Sequence, residues 1–287
     1  GTGQAVNFVS GPATPPLSTG SVELSVGPDG SGAAQLRHPA YANTKLSDLT
    51  ELAYSTYVQQ DGSGGQAPYI ILGVDHDNNA GTPADLLFFE PVYQTATFFP
   101  SNPQPALVLN TWQTWDALHG GWWSVNGFAG ATPGTGVKSL ATYFAAFPDA
   151  KIVNTSSGLG GVRLVAGFGA GAWDNFVGNA DAFSITVGGN NTLFDFEPQP
   201  SITINDVSVA EGTGGTTNAV FTVTISAAVT QNVGVTLAKT RKLLREQRKA
   251  SPGTNWPFRK AERGRSATPA RPGDPRRRPA RTGSTEA

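Results

Sequence analysis

The 287-residue sequence contains no cysteine and no methionine. Without cysteine the chain has no disulfide framework, no thiolate metal site and no cysteine nucleophile. Methionine is missing at position 1 as well, which predicts a processed product or an excised fragment from which any signal peptide has been removed. No apolar run approaches the roughly 18 residues that are needed to span a bilayer. We therefore expect no transmembrane segment in this chain.

Charged residues are also scarce, at 14% of the chain, and histidine occurs only three times. Glycine (35) and proline (21) are abundant, which favours many short strands joined by turns over long helices. Apolar residues make up 38% of the chain, enough for one full β-sandwich core and part of a second. The composition therefore predicts an all-β protein.

The few charges are unequally distributed. Residues 1–238 hold 5 Lys/Arg against 17 Asp/Glu, a balance of −12, whereas residues 239–287 hold 15 against 4, a balance of +11. One interpretation of 239–287 is a disordered, Arg/Pro-rich cationic arm that binds anions without sequence preference. The other is a change of reading frame in GC-rich coding text. Because the change of sign does not coincide with a domain boundary, we favour the second and expect no specific nucleic-acid partner.

Short runs of alternating apolar and polar residues predict β-strands, and clusters of Gly, Asp and Asn between them predict turns. This spacing is typical of an antiparallel sandwich. A single helix is predicted over 136–147, where apolar residues recur at helical spacing. The first unit should end at residue 197, followed by a stiff Pro-Gln-Pro linker at 198–200. The predicted strands of this unit are 5–9, 21–26, 52–58, 68–74, 86–89, 151–153, 161–167, 182–187 and 192–196.

Residues 201–237, SITINDVSVAEGTGGTTNAVFTVTISAAVTQNVGVTL, resemble the opening of a Calx-β repeat. The resemblance implies a seven-stranded sandwich that binds calcium at one tip, with Glu211 matching one of the family's calcium ligands. The family's other ligands lie in later strands that have no counterpart here, so Glu211 alone cannot form that site. We interpret 201–238 as a partial repeat and expect it to be disordered or prone to aggregation in isolation.

Residues 1–197 are similar to the concanavalin-like jelly-roll modules of large bacterial surface and secreted proteins. The similarity lies in the segments PYIILGVDHDNN, LLFFEP, TWQTWDALHGGWW and WDNFVGNADAFSI. It implies a β-sandwich with a carbohydrate or calcium role in an extracellular or cell-surface setting. It does not identify the ligand.

Four tryptophans, Trp112, Trp115, Trp122 and Trp123, lie within twelve residues, and Tyr93 precedes them. Aromatic faces beside polar groups are what sugar binding requires, because the C–H faces of a pyranose lie flat on rings while its hydroxyls need fixed partners. These five residues are the predicted carbohydrate-binding site. The alternative is that most of the rings fill the core of the sandwich.

Oxygen-bearing side chains alternate at Asp75, Asp77 and Asn79, and Asp85 follows. Hard cations such as calcium favour six to eight oxygen ligands, which makes these four residues candidate calcium ligands. The spacing departs from an EF-hand loop, and an Asx-rich turn between two strands explains the same residues. Asp174 and Asp181 are a second candidate pair, for which turn capping is the alternative.

Signals for catalysis are weak. The histidines are isolated in sequence, and no Gly-x-Ser-x-Gly elbow precedes a helix, so we expect no enzyme. Our main hypothesis is an adhesion or carbohydrate-binding module of a modular bacterial protein, stabilised by calcium. One alternative is a secreted polysaccharide hydrolase domain that uses Glu90 and Asp116 as its carboxylate pair. The other is a structural spacer, which we would favour if all four clustered tryptophans were buried.

Overall fold

The computed structural model describes residues 3–77, 84–155, 159–169, 171–210 and 213–226. Two of the predicted calcium ligands, Asn79 and Glu211, lie outside these ranges. So do the end of the predicted Calx-β segment, from residue 227, and the whole basic segment 239–287.

The chain forms two antiparallel sheets and a separate hairpin, as expected for an all-β sandwich. The elements are β1 (Ala5–Ser10), β2 (Gly20–Ser25), β3 (Ala33–His38), β4 (Leu49–Gln60), β5 (Tyr69–Asp75), β6 (Asp85–Phe89), β7 (Trp112–Asp116), β8 (Gly121–Ser124), β9 (Lys138–Ser139), α1 (Leu140–Ala146), β10 (Lys151–Ile152), β11 (Val162–Gly167), β12 (Val177–Val187), β13 (Asn190–Phe194), β14 (Ile202–Ile204) and β15 (Val223–Ile225). The first sheet has the order β1-β2-β12-β4-β7, with β13 on the second half of β12, and the second has the order β3-β11-β5-β6-β8-β9, with β10 on β5.

The core lies between the two sheets. Successive residues of a strand point to opposite faces of a sheet, so alternate residues of the central strands enter the core. The largest fully buried side chains come from both sheets. Tyr54 and Trp115 of the first sheet lie opposite one another on β4 and β7, while Phe89 and Trp122 of the second pack ring against ring, 5.6 Å apart. The ring of Tyr54 also contacts Phe89 across the sheets, which joins the two layers through aromatic packing.

The predicted helix is shorter than expected, because α1 begins at Leu140. Residues 134–136 form a 3₁₀ turn, and Lys138 and Ser139 pair with β8. The hydroxyl of Ser139 accepts the N–H of Thr142, which is N-terminal capping that fixes the start of the helix. No helix in the described ranges is long and apolar enough to cross a membrane.

Glu197 connects the carboxyl-terminal end of the sandwich to the start of β2 by hydrogen bonds. Its Oε1 atom accepts the N–H groups of Thr19 and Gly20 at 2.8 and 2.6 Å. These hydrogen bonds lower the pKa of Glu197, with that from Thr19 the largest cause. Residues 195–201 form no regular secondary structure, and in sequence this stretch includes the predicted linker.

In the predicted Calx-β segment, β14 and β15 pair as an antiparallel hairpin. The alternation of apolar and polar residues in this segment also predicts strands over 207–209 and 219–225. The first is absent, and the second is reduced to its last three residues. All six residues of the hairpin are exposed. A two-stranded hairpin without a packing partner is marginal in water, because neither face buries its apolar side chains.

Two adjacent tryptophans of β8 allow a direct test of the sandwich. Trp122 is fully buried, and we expect Trp122→Ala to lower the free energy of unfolding by about 3–5 kcal/mol, as for other large core truncations. Trp123→Ala should cost clearly less, because Trp123 points to the opposite face and is half-buried. Urea unfolding of both variants measures the difference. Equal losses would contradict the assigned orientation of β8.

Candidate functional site

The structure separates the four clustered tryptophans. Trp115 and Trp122 are 0% exposed. Each indole N–H is satisfied inside the core, at 2.8 Å, by the hydroxyl of Thr56 for Trp115 and by the carbonyl of Ala117 for Trp122. The expectation that these two rings bind sugar is therefore corrected: they are core residues, because the period-two alternation of β7 and β8 turns them inward.

Trp112 and Trp123 are both half-buried but belong to different sheets. Trp112 packs against Tyr57 of β4, with ring centroids 5.6 Å apart, and donates its indole N–H to the carbonyl of Pro12. Tyr93 lies in the 3₁₀ turn Pro91–Tyr93 and contacts the ring of Phe98. Of the predicted sugar-binding residues, Trp123 alone lines the cavity described next.

Antiparallel register places four side chains in one row across the second sheet. Arg163 of β11 lies opposite Ile71 of β5, Ile71 lies opposite Phe88 of β6, and Phe88 lies opposite Trp123 of β8. Directly opposite residues of an antiparallel pair share one face of the sheet. The residues next to each member of the row point to the core, so the row lies on the outer face of the second sheet.

A cavity of about 330 Å³ lies on this outer face. The four residues of the row line it together with Tyr69, Leu86, Glu90, Leu159, Gly167, Phe168 and Trp173. Gly73 of β5 allows a neighbouring segment to cross the sheet closely: a Cβ atom at this position would lie 2.7 Å from the Cα of Gly160. The absent side chain thus lets the chain at Gly160 lie close to the sheet, next to Leu159, which lines the cavity.

Trp123 is held in a fixed orientation by two contacts. Its ring stacks on Phe88, with centroids 4.1 Å apart and planes inclined by 9°. Its indole N–H donates to Oε1 of Glu90 at 2.7 Å. An aromatic ring whose plane and edge are both fixed can receive a flat apolar ligand face with little loss of side-chain entropy.

The carboxyl group of Glu90 is a weaker acid than an ordinary glutamate. Burial raises the pKa of Glu90 from 4.5 to about 7, and the hydrogen bond from Trp123 lowers it by a smaller amount. Near neutral pH the side chain therefore exists in both protonation states. It can accept or donate a hydrogen bond within the cavity.

Arg163 is the cation of the cavity. It is 2% exposed, and its Nε and Nη2 atoms have no hydrogen-bond partner among the described residues. Burial lowers the pKa of Arg163, the phenol of Tyr69 raises it, and nearby Arg37 lowers it. A guanidinium nevertheless stays charged in proteins. The cavity thus contains a desolvated positive charge whose hydrogen-bonding capacity is only partly used.

The described members of the first group of predicted calcium ligands, Asp75, Asp77 and Asp85, take part in hydrogen bonds and an ion pair within the protein. Oδ1 of Asp75 accepts the N–H of Asp77 at 3.1 Å, which is the geometry of an Asx turn, and Oδ2 of Asp75 lies 3.7 Å from Nζ of Lys151. Oδ1 of Asp85 accepts the N–H groups of Leu86 and Asn126, and burial raises its pKa. Within the described ranges, no three acidic or histidine side chains converge as a metal site requires.

Asp174 and Asp181 bind backbone groups in separate places. Oδ1 of Asp174 accepts the N–H of Gly171. Asp181 is fully buried and accepts the N–H groups of Leu17 and Phe196 on its two oxygens. Burial raises the pKa of Asp181, while these backbone bonds oppose the rise. Both residues thus make the backbone hydrogen bonds that turn capping requires, and their binding of calcium stays a prediction.

The predicted hydrolase pair is not assembled in one site. Glu90 lines the outer-face cavity, whereas Asp116 lines a separate groove beside His119 and accepts from the backbone N–H of His119. Asp116 follows Trp115 at the end of β7, in the first sheet, and points away from the core. Two carboxylates in different concavities cannot act on one glycosidic bond.

Glu90 yields a prediction about pH. Since its pKa is raised in the folded state, its contribution to stability is fully present below about pH 4.5 and is lost as the pH rises through about 7. Between these limits the wild type should lose on the order of 3 kcal/mol of unfolding free energy relative to Glu90→Gln. Chemical denaturation of both proteins across this range measures the difference.

Glu51→Gln is a matched control, because the pKa of Glu51 is shifted in the opposite direction to that of Glu90. Hydrogen bonds from Ser184, Thr186 and Asn191 lower the pKa of the exposed Glu51, so its contribution is present above about pH 4.5 and is lost as the pH falls. Wild type should therefore gain stability relative to this variant as the pH rises. Parallel pH profiles for wild type and Glu90→Gln would show that Glu90 is not desolvated.

Arg163, Phe88 and Tyr69 of the cavity were not identified from the sequence. Arg163 is a single charged residue within the apolar run GVRLVAG. Because charged residues are rarely buried without a partner, its position in this run could have identified it as a candidate functional residue. Comparison with known proteins gives no further guide: no family model, no curated protein and no solved structure matches the chain. The geometry of the cavity is therefore the basis for assigning a function.

Proposed function

We propose that residues 1–197 form a carbohydrate-binding module that holds a saccharide in the outer-face cavity, in an extracellular or cell-surface protein with an adhesive role. The observation that carries the proposal is the fixed ring of Trp123, stacked on Phe88 and hydrogen-bonded to Glu90 at the cavity wall.

The chemistry of the cavity walls suits a sugar. Ligand sites combine a mostly apolar lining with a few oriented polar groups. Here Trp123 and Phe88 offer aromatic surface for the C–H face of a pyranose, and Glu90 offers a carboxyl group for its hydroxyls. The cavity volume of about 330 Å³ lies within the usual range for small-ligand sites.

The number of carboxyl groups in the cavity supports saccharide binding and not glycoside hydrolysis as the function. Glycoside hydrolysis in most families needs two carboxyl groups on either side of the scissile bond. Among the described residues that line the cavity, Glu90 is the single carboxylic acid. Among the described residues, no three acidic or histidine side chains converge on one point.

The test compares two tryptophans in equivalent settings. Glycan-array screening of the wild type would first identify a bound saccharide, and calorimetry would then measure its affinity. Trp123→Ala should weaken binding about tenfold or more, because a lost aromatic contact is worth about 1 kcal/mol beyond its area. Trp112→Ala is the matched control: Trp112 is also half-buried, but it lies on the first sheet and should leave affinity unchanged.

Three outcomes would contradict the proposal. They are no binding to any saccharide on the array, binding that survives Trp123→Ala unchanged, and equal losses for both variants. The last would indicate a general loss of structure, which thermal melting of each variant would confirm.

A further inference from the structure

The guanidinium of Arg163 presents an unused pair of donors. Its Nε and Nη2 atoms, both without a partner in the described structure, form the side-on edge of the guanidinium, where two N–H bonds run parallel. This edge matches the two oxygens of a carboxylate, which it can bind bidentately. A buried donor without a partner ordinarily costs about 1–3 kcal/mol, and more when it is charged. Such a group in a cavity therefore points to a ligand that completes it.

The neighbour of Arg163 increases this cost. Arg37 lies directly opposite Arg163 on β3, and like charges at opposite positions are unfavourable. These are the two arginines among residues 1–238. Arg37 donates from Nη1 to Oδ1 of Asn154 and to the carbonyl of Thr155, whereas the described structure provides no acceptor for the side-on edge of Arg163. A buried, unneutralised charge that does not support the fold is a feature expected of a functional site.

Resting on the proposed function, we infer that the cavity binds an acidic saccharide, and that Arg163 binds the carboxylate of its uronic acid unit. The ligand would place its ring against Trp123, a hydroxyl at Glu90 and its carboxylate on the side-on edge of Arg163. Glu90 does not fill this role itself, because its Oε1 atom accepts from Trp123 and no ion pair joins it to Arg163 in the described structure.

Access to Arg163 requires side chains to shift. Nε and Nη2 are shielded from water, so the carboxylate must enter from the cavity. Leu159 and Phe168, which line the same cavity, are 45% and 60% exposed and so have room to change rotamer. Such side-chain changes are common when partners bind.

The experiment uses one saccharide in two charge states: an oligogalacturonate and its fully methyl-esterified form, with affinities measured by calorimetry at low salt. Wild type should bind the free acid at least about tenfold more tightly, since bonds between charged groups are about twice as strong as neutral ones. Arg163→Gln should remove this preference and keep the weaker binding of the ester. Arg163→Lys, which keeps the charge but loses the parallel donors, should lose most of it.

Arg37→Gln is the matched control, because Arg37 lies in the same row and already has acceptors. It should keep the preference for the free acid. Thermal melting should show Arg163→Gln at least as stable as wild type, because the substitution removes an unpaired buried charge.

The two proposals fail in different ways. Equal wild-type affinity for acid and ester, or a preference for the acid that survives Arg163→Gln, overturns the role of Arg163 while leaving saccharide binding intact. A preference lost equally with Arg37→Gln also overturns it, because a general electrostatic effect then explains the result. Failure to bind any saccharide, acidic or neutral, overturns the proposed function itself.

Discussion

The register of β11, β5, β6 and β8 is the constraint on which the site depends. Because the side-chain period of a strand is two, a slip of one residue in any of these pairings would exchange the cavity face for the core face. The core holds the register in place: Phe89 and Trp122, one residue away from Phe88 and Trp123, pack together inside the sandwich. The buried pair of Phe89 and Trp122 thus positions the half-buried pair of Phe88 and Trp123.

Desolvation gives the two polar groups of the cavity their properties. Burial keeps Glu90 partly protonated near neutral pH and leaves the side-on edge of Arg163 shielded from solvent, with no acceptor among the described residues. Each group alone is unfavourable for folding. Both face the same cavity, however, so a ligand with a hydroxyl and a carboxylate could satisfy both at once. Electrostatic interactions inside such a cavity are stronger than in bulk water.

Much of the sandwich follows from the sequence. All nine strands predicted before residue 198 are present, with shifted ends, because alternation and turn residues are local signals. Four further strands before residue 198 were not predicted: β3, β7, β8 and β9, the last of which lies within the predicted helix. The segments WQTWD and GWWS have the pattern of short strands. Their tryptophans were interpreted as sugar-binding residues instead, and the strands β7 and β8 were not assigned.

The site was predictable only in part, for a physical reason. Adjacent Trp122 and Trp123 in a strand must face opposite sides, so the sequence alone excludes a shared sugar-binding surface for both. It does not tell which ring faces inward, since that depends on pairing with residues more than thirty positions away in β6. The role of Arg163 was harder to predict, because the lack of acceptors for its Nε and Nη2 atoms among the described residues is a property of the assembled sheet. Local sequence likewise did not distinguish calcium ligation from the backbone capping by Asp75 and Asp181, as both use the same carboxylate oxygens.

The net charge of residues 1–238 and the charge of Arg163 in the cavity have opposite signs, and the distance over which each acts decides their effect on the ligand. Residues 1–238 carry a balance of −12, which would repel an acidic saccharide. Exposed charges are screened beyond about 8–10 Å at physiological salt, whereas a desolvated guanidinium acts at contact and with little screening. Raising the salt concentration should therefore weaken the repulsion more than it weakens the contact with Arg163. The negative surface then mainly slows the approach of the ligand, while the short-range pairing determines which ligand stays bound.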